Sequence, residues 1–212
     1  MVLKQQYGRE IAQALIQTIQ SNKDYLSEID GKIGDGDHGI NMNKGFTMCQ
    51  ERLEGKNPGV SEAFALISQT LMEDIGGSMG PLYGVLFDGL SMESEGKDVI
   101  DAKCFAAMLQ AAVDGVQDIG NAKKGDKTLL DTLIPATEAF QNALAENKDF
   151  RECLVAMKQG AEDGWKSTEG MVARVGRASR LGERSRGVLD AGATSCCLLL
   201  TALADETLAL IV

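Results

Sequence analysis

The chain has 212 residues, 44% of them hydrophobic and 25% charged, with three prolines and few aromatics. That length and composition predict one soluble globular domain over 1–212, with helix favoured over a turn-rich β architecture. A net charge of −10 excludes a nucleic-acid binder, which needs a basic face. No run reads as a bilayer span and no basic-then-apolar signal opens the chain, so no membrane role and a cytoplasmic location are expected.

In chain order, Ile11, Leu15, Ile16 and Ile19 form an apolar stripe at helical spacing. Similar stripes run through 40–54, 60–76, 80–93, 102–119, 128–146, 149–170 and 191–212, giving eight helices and no convincing strand. The connections are short apart from two Gly- and charge-rich stretches, 29–39 and 171–190. Short links predict an all-α, antiparallel up-and-down bundle or closed barrel. Breaks at 30–39, 76–80, 120–127 and 171–190 follow roughly alternate helices. In an antiparallel arrangement they gather at one end, beside helix N-termini that suit phosphate.

The stretch 30–39 reads as a loop in which Asp30, Asp35 and Asp37 lie among Gly31, Gly34, Gly36 and Gly39. Glycine lets the backbone bend those carboxylates toward one point. Two such charges about 5 Å apart, at an effective dielectric near 20, repel by roughly 3 kcal/mol. A hard cation, Mg²⁺ or Ca²⁺, removes that repulsion; the alternative is a plain solvated turn. Gly34 to Gly39 satisfies G-x-G-x-x-G, but the two aspartates would face a pyrophosphate and no strand leads in. The EF-hand register fails too, with Phe46 or Asn41 where a carboxylate belongs. Gly39 to Gly45 opens a helix directly after the carboxylates, which sets a metal site beside an anion site.

Further along, Gly76 to Pro81 is a tight break: an interhelical turn, or a place where backbone approaches a flat ligand. Gly120 to Thr128 misses the Walker A pattern because Asp126 replaces its lysine. Lys127 and Thr128 still open a helix and could meet a phosphate or the metal shell. Between 171 and 190, five arginines (Arg174, Arg177, Arg180, Arg184, Arg186) face Glu183 and Asp190. The stretch reads as a solvated basic face or, because Gly176, Gly182 and Gly187 break it, as an arginine-bearing lid. The five cysteines have no zinc spacing and fit reduced, buried thiols; His38 stands alone. Trp165 is expected to pack on a helix face.

IGDGDHGINMNKGF, GGSMGPLYG, GDKTLLDTLIP and GRASRLGERSRG with DAGATS, in that order, resemble the nucleotide-binding L subunit of dihydroxyacetone kinases, essentially end to end. The resemblance implies an eight-helix antiparallel barrel with a nucleotide site at one end. It implies that Asp30, Asp35 and Asp37 hold a pair of Mg²⁺ ions against the phosphates of ADP or ATP. It places His38, Gly39, Ile40 and Asn41 around those phosphates, and Ser78, Met79, Gly120 and Leu129 on the adenine side. Arg177 would be the catalytic lid residue, with Asp190, Ala191 and Gly192 closing over the nucleotide. The implied chemistry is phosphoryl transfer to a ketose held by a separate K subunit through a histidine there.

A free-standing chain of this length resembles the phosphotransferase-dependent branch, in which a phosphohistidine-carrying phosphotransferase subunit recharges bound ADP. Alternatives in the same family are an ATP-dependent kinase subunit for a related ketose such as a tetrulose, and a non-catalytic, nucleotide-loaded partner of a transcription regulator. Met79, Arg180, Val188 and Ala191 depart from the commoner family pattern of a small residue, an aromatic, a histidine and a proline.

Overall fold

In the computed structural model, which describes residues 1–212, nine α-helices follow one another along the chain. They are α1 (Gly8–Ser21), α2 (Lys23–Ile33), α3 (His38–Leu53), α4 (Val60–Asp74), α5 (Met79–Ser94), α6 (Ala102–Gly120), α7 (Leu130–Ala145), α8 (Phe150–Ser167) and α9 (Ala191–Leu210). The architecture is all-α, as the periodicity predicts, with one helix more than the eight expected. The extra helix is α2. Its buried stripe, Leu26, Ile29 and Ile33, runs through a segment whose Gly and Asp content reads as loop. Asp30 therefore sits in the last turn of a helix, not in the loop that holds Asp35 and Asp37.

Two residues on each side form a short antiparallel pair, β1 (Leu3–Lys4) with β2 (Val99–Ile100), where no strand is expected. Val2 and Val212 exchange backbone hydrogen bonds of 3.0 and 3.2 Å, which ties the two ends of the chain together.

Local chemistry sets the helix boundaries. Asp101 accepts the Cys104 N–H at 2.8 Å and caps α6. Asp149 and Glu152 form a reciprocal capping box at the start of α8, at 3.0 and 2.8 Å. Consecutive helices pack against each other from α3 to α9, and α9 returns to α1, so the ring closes. One apolar core fills it, from Leu3 to Ile211, and includes Phe46, Phe87, Phe105 and Phe140. Helix α9 is long and apolar enough to cross a membrane by length and composition, contrary to the expectation that no run qualifies. It is instead a core helix, packed between α1, α7 and α8. All five cysteines are free thiols, as expected, and only Cys104 is not buried.

The ring has one consequence for function. With short links and alternating directions, α3, α5, α7 and α9 start at the same end.

Candidate functional site

A cavity of about 330 Å³ lies at that end, lined by residues from all four predicted breaks. The starts of α3, α5, α7 and α9 frame it. One of those starts is capped by a carboxylate, since Asp190 accepts the Ala193 N–H at 2.7 Å; ahead of α7, Asp131 instead accepts the Gly125 and Thr128 N–H groups of the preceding loop at 2.5 and 2.8 Å. The starts of α3 and α5 have no side-chain cap from their own N-cap residues, Asp37 and Ser78. Apart from the His38 N–H, which Asp30 accepts, the N–H groups that open these two helices and the helix dipole favour an anion there.

Asp30, Asp35 and Asp37 each bring a carboxylate oxygen within 4.8 Å of the others. Gly34 makes this possible, because a Cβ at that position would overlap the Asp30 carboxylate. Asp30 also accepts the His38 N–H at 3.3 Å, which fixes it to the start of α3. The donor set is all oxygen and all anionic, and it fits a hard divalent cation. In this structure the Arg177 guanidinium takes the balancing position, paired with Asp35 and lying 3.5 Å from Asp37.

Behind the carboxylates, the His38 Nε2 and Ser195 Oγ are 2.8 Å apart, and the Ser195 Oγ and Tyr83 hydroxyl 2.6 Å. The Tyr83 hydroxyl is also 3.0 Å from the Gly192 carbonyl, to which it donates. Burial pushes His38 down to about 4, against the pull of Asp30, so the imidazole is neutral at pH 7. Burial likewise pushes Asp190 up to about 6, with the Ala193 N–H and Lys127 opposing the shift.

His38, Asn41, Ser78, Met79, Gly120, Thr128, Leu129, Arg177, Asp190, Ala191 and Gly192 all line the cavity, together with the three aspartates. Two candidates do not. Gly39 is buried against the Lys23 carbonyl and Ser27, where no Cβ fits, and Ile40 is 54% exposed to solvent. Lys127 is not free to meet a phosphate, because its ammonium donates to three backbone carbonyls. Trp165 does more than pack, since its indole N–H donates to Thr194 Oγ1 at 2.9 Å. The arginine stretch is not wholly irregular: 177–185 winds into 3₁₀ turns broken at Gly182. Tyr83, Ser195 and Asp131 are site residues that sequence reasoning misses, although all three lie inside motifs it picks out.

Residues 32–205 match the family model of the DAK2 domain. The chain belongs to the DAK2 domain family. This DAK2 domain is 40% identical over 188 residues to the PTS-dependent dihydroxyacetone kinase, ADP-binding subunit DhaL, of Lactococcus lactis, spanning 88% of this chain and 90% of the relative. It is 36% identical over 189 residues to the PEP-dependent dihydroxyacetone kinase, ADP-binding subunit DhaL, of Escherichia coli, covering 87% and 88% of the two chains. The D-erythrulose kinase of Mycolicibacterium smegmatis is 30% identical over 91% of this chain, which spans only 34% of that enzyme. Among solved structures, the native dihydroxyacetone kinase of C. freundii superposes with a TM-score of 0.71 at 25% identity, over 93% of this chain and 34% of its own. A second structure of that kinase, in complex with AMP-PNP and Mg²⁺, gives 0.67 at 24% identity and shows the same fold.

Proposed function

We propose that this DAK2 domain is the ADP/ATP-binding subunit of a dihydroxyacetone-type kinase, acting in the cytoplasm with a separate ketose-binding subunit. The observation that carries the reading is the meeting, in one cavity, of three oxygen donors, an arginine and two helix N-termini whose N-cap side chains leave them unbonded. These are the groups that a metal-bound polyphosphate requires. The names of the relatives, which are ADP-binding subunits along nearly their whole length, support the nucleotide assignment. The solved complex with AMP-PNP and Mg²⁺ supports magnesium as the cation.

In this reading Asp30, Asp35 and Asp37 hold Mg²⁺, two ions by the family resemblance, against the nucleotide phosphates. Bound there, the metal neutralises phosphate charge and polarises the transferring group. The chain's own residues do the rest. The N–H groups that open α3 and α5 hold phosphate oxygens, with His38 and Asn41 beside them. Met79, Leu82, Val116 and Leu129 supply an apolar wall for the base. Arg177 turns from the carboxylates to the phosphoryl group and stabilises the charge that develops on it. This is catalysis by positioning and electrostatics, with no protein nucleophile.

The one histidine, His38, is held by Ser195 and does not serve as a covalent anchor for a ketose. By the family resemblance, covalent ketose binding falls to a histidine of the separate subunit. A phosphohistidine-carrying phosphotransferase protein is the proposed phosphodonor, because the relatives matched along their whole length are PTS- or PEP-dependent. The erythrulose kinases match at lower identity and are about three times as long, so dihydroxyacetone is the preferred acceptor.

Denaturing the purified protein and analysing the supernatant tests the proposal. ADP or ATP is expected in it, or failing that a Mg-dependent affinity for added nucleotide. Finding neither overturns the reading. Asp35→Asn is expected to weaken Mg–ADP binding with the helical circular dichroism unchanged.

A further inference from the structure

Lys127 is 1% exposed, and every proton of its ammonium has a partner. Nζ donates to the carbonyls of Met171 at 3.1 Å, Ser185 at 2.5 Å and Val188 at 2.6 Å. A buried ammonium without partners would carry a desolvation cost of several kcal/mol, and three carbonyls satisfy its full donor set. The residue also adopts φ of +64°, a left-handed backbone uncommon for a lysine. From there the side chain runs inward, under the arginine stretch.

The carbonyls it gathers come from both ends of that stretch. Other bonds join the same two feet. Ala173 N–H donates to Ser185 Oγ at 2.9 Å and Gly187 N–H to the Glu169 carbonyl at 2.7 Å, while Arg174 N–H ties the first foot to the Asp126 carbonyl, next to Lys127, at 3.1 Å. Between the feet, the chain turns through positive φ at Gly176 (71°) and Gly182 (55°). Its crown reaches the rest of the site through Arg177, paired with Asp35.

We propose that Lys127 is a positioning residue: it clamps the feet of the arginine loop so that 174–184 carries Arg177 over the cavity as one pre-formed unit. The clamp confines movement to about ten residues, where an unclamped segment of about twenty would have to be ordered on closing. The proposal rests on the nucleotide reading for what Arg177 closes over, and on the structure alone for the clamp.

Two measurements on the full-length protein separate these. Hydrogen exchange without nucleotide reads the clamp: Lys127→Met is expected to speed exchange at the Ala173 and Gly187 amides at least tenfold, with α4 amides unchanged. Unchanged exchange at both feet overturns the proposal, whether or not nucleotide binds. Calorimetry with Mg–ADP then reads the coupling to Arg177. Lys127→Met and Arg177→Gln are each expected to weaken binding about tenfold, and the double variant no more than the weaker single, as residues acting through one another behave. Losses that multiply overturn it. If the wild type binds no Mg–ADP, it is the nucleotide reading that fails. Should Lys127→Met not fold, Ser185→Ala removes the link between the feet and is expected to speed exchange at Ala173; wild-type protection there counts against the clamp.

Discussion

Arg177 stands where a cation is wanted. Its guanidinium pairs with Asp35 and lies beside Asp37, so a divalent ion competes with it for the same oxygens. The pair is about half exposed, and such pairs contribute roughly 0.2–1 kcal/mol. Arg177→Gln is therefore expected to tighten Mn²⁺ or Mg²⁺ binding by about two- to fivefold without nucleotide, read by titration with Mn²⁺ resonance. Weaker metal binding in that variant would show that the arginine assists the ion instead.

Two neighbours titrate in opposite senses. Below its ordinary 6.5, His38 binds fewer protons folded than unfolded down to about 4, so its contribution stabilises the fold as pH rises through that window. Asp190 keeps a proton to about 6 when folded and to 3.8 when unfolded, so its contribution destabilises the fold as pH rises. The slopes oppose across nearly the same range. His38→Gln leaves the Asp190 slope uncovered. The urea midpoint of the metal-free variant should fall relative to wild type between pH 4.5 and 6.5, and parallel profiles would refute the assignment. The convergence of the three aspartates was legible because they crowd into eight positions. The contact of His38 with Ser195 and Tyr83 was not, since it joins residues 157 and 112 positions apart by a closure that no local spacing encodes.

At the scale of elements, α7 and α8 lie closest together. A Cβ on Gly164 would overlap the Asp131 carbonyl, and one on Gly160 would crowd the Pro135 carbonyl. Backbone carbonyls cannot move aside as side chains do, so Gly164→Ala forces the helices apart at the residue that organises the start of α7. Overpacking of this kind costs about 1–3 kcal/mol, less up to about 1 kcal/mol regained from helix propensity. An unfolding free energy in urea lowered by a net ~1–2 kcal/mol is expected, with weaker nucleotide binding because Asp131 holds the Gly125 and Thr128 amides. An unchanged midpoint would mean that the helices have slack. Apolar periodicity found eight of the nine helices. It missed α2 because Asp30, Gly31 and Gly34 carry a loop composition, while the stripe of Leu26, Ile29 and Ile33 that forms the helix is short. Composition and periodicity disagreed there, and packing against α3 and α9 decided for helix.

For the whole molecule, direction along the ring matters more than any single contact. The short connections predicted that alternate breaks share an end, and the cavity joins all four. A ligand that fills the cavity engages the starts of several helices that enter one core. Such a ligand binds the folded chain and not the unfolded one, so its binding energy adds to the stability of the entire ring. At a free Mg–ADP concentration a hundred times its dissociation constant, the gain is about 2.7 kcal/mol. For a chain of this size each kcal/mol shifts the melting temperature by about 2–4 °C, so a rise of about 5–10 °C is expected. The rise should require both magnesium and nucleotide, because the carboxylates repel the phosphates when no metal lies between them. Asp35→Asn should lose most of it while melting as one transition. A second, lower transition on adding Mg–ADP to the wild type would instead mean that the site lies on a part of the chain that unfolds apart from the ring.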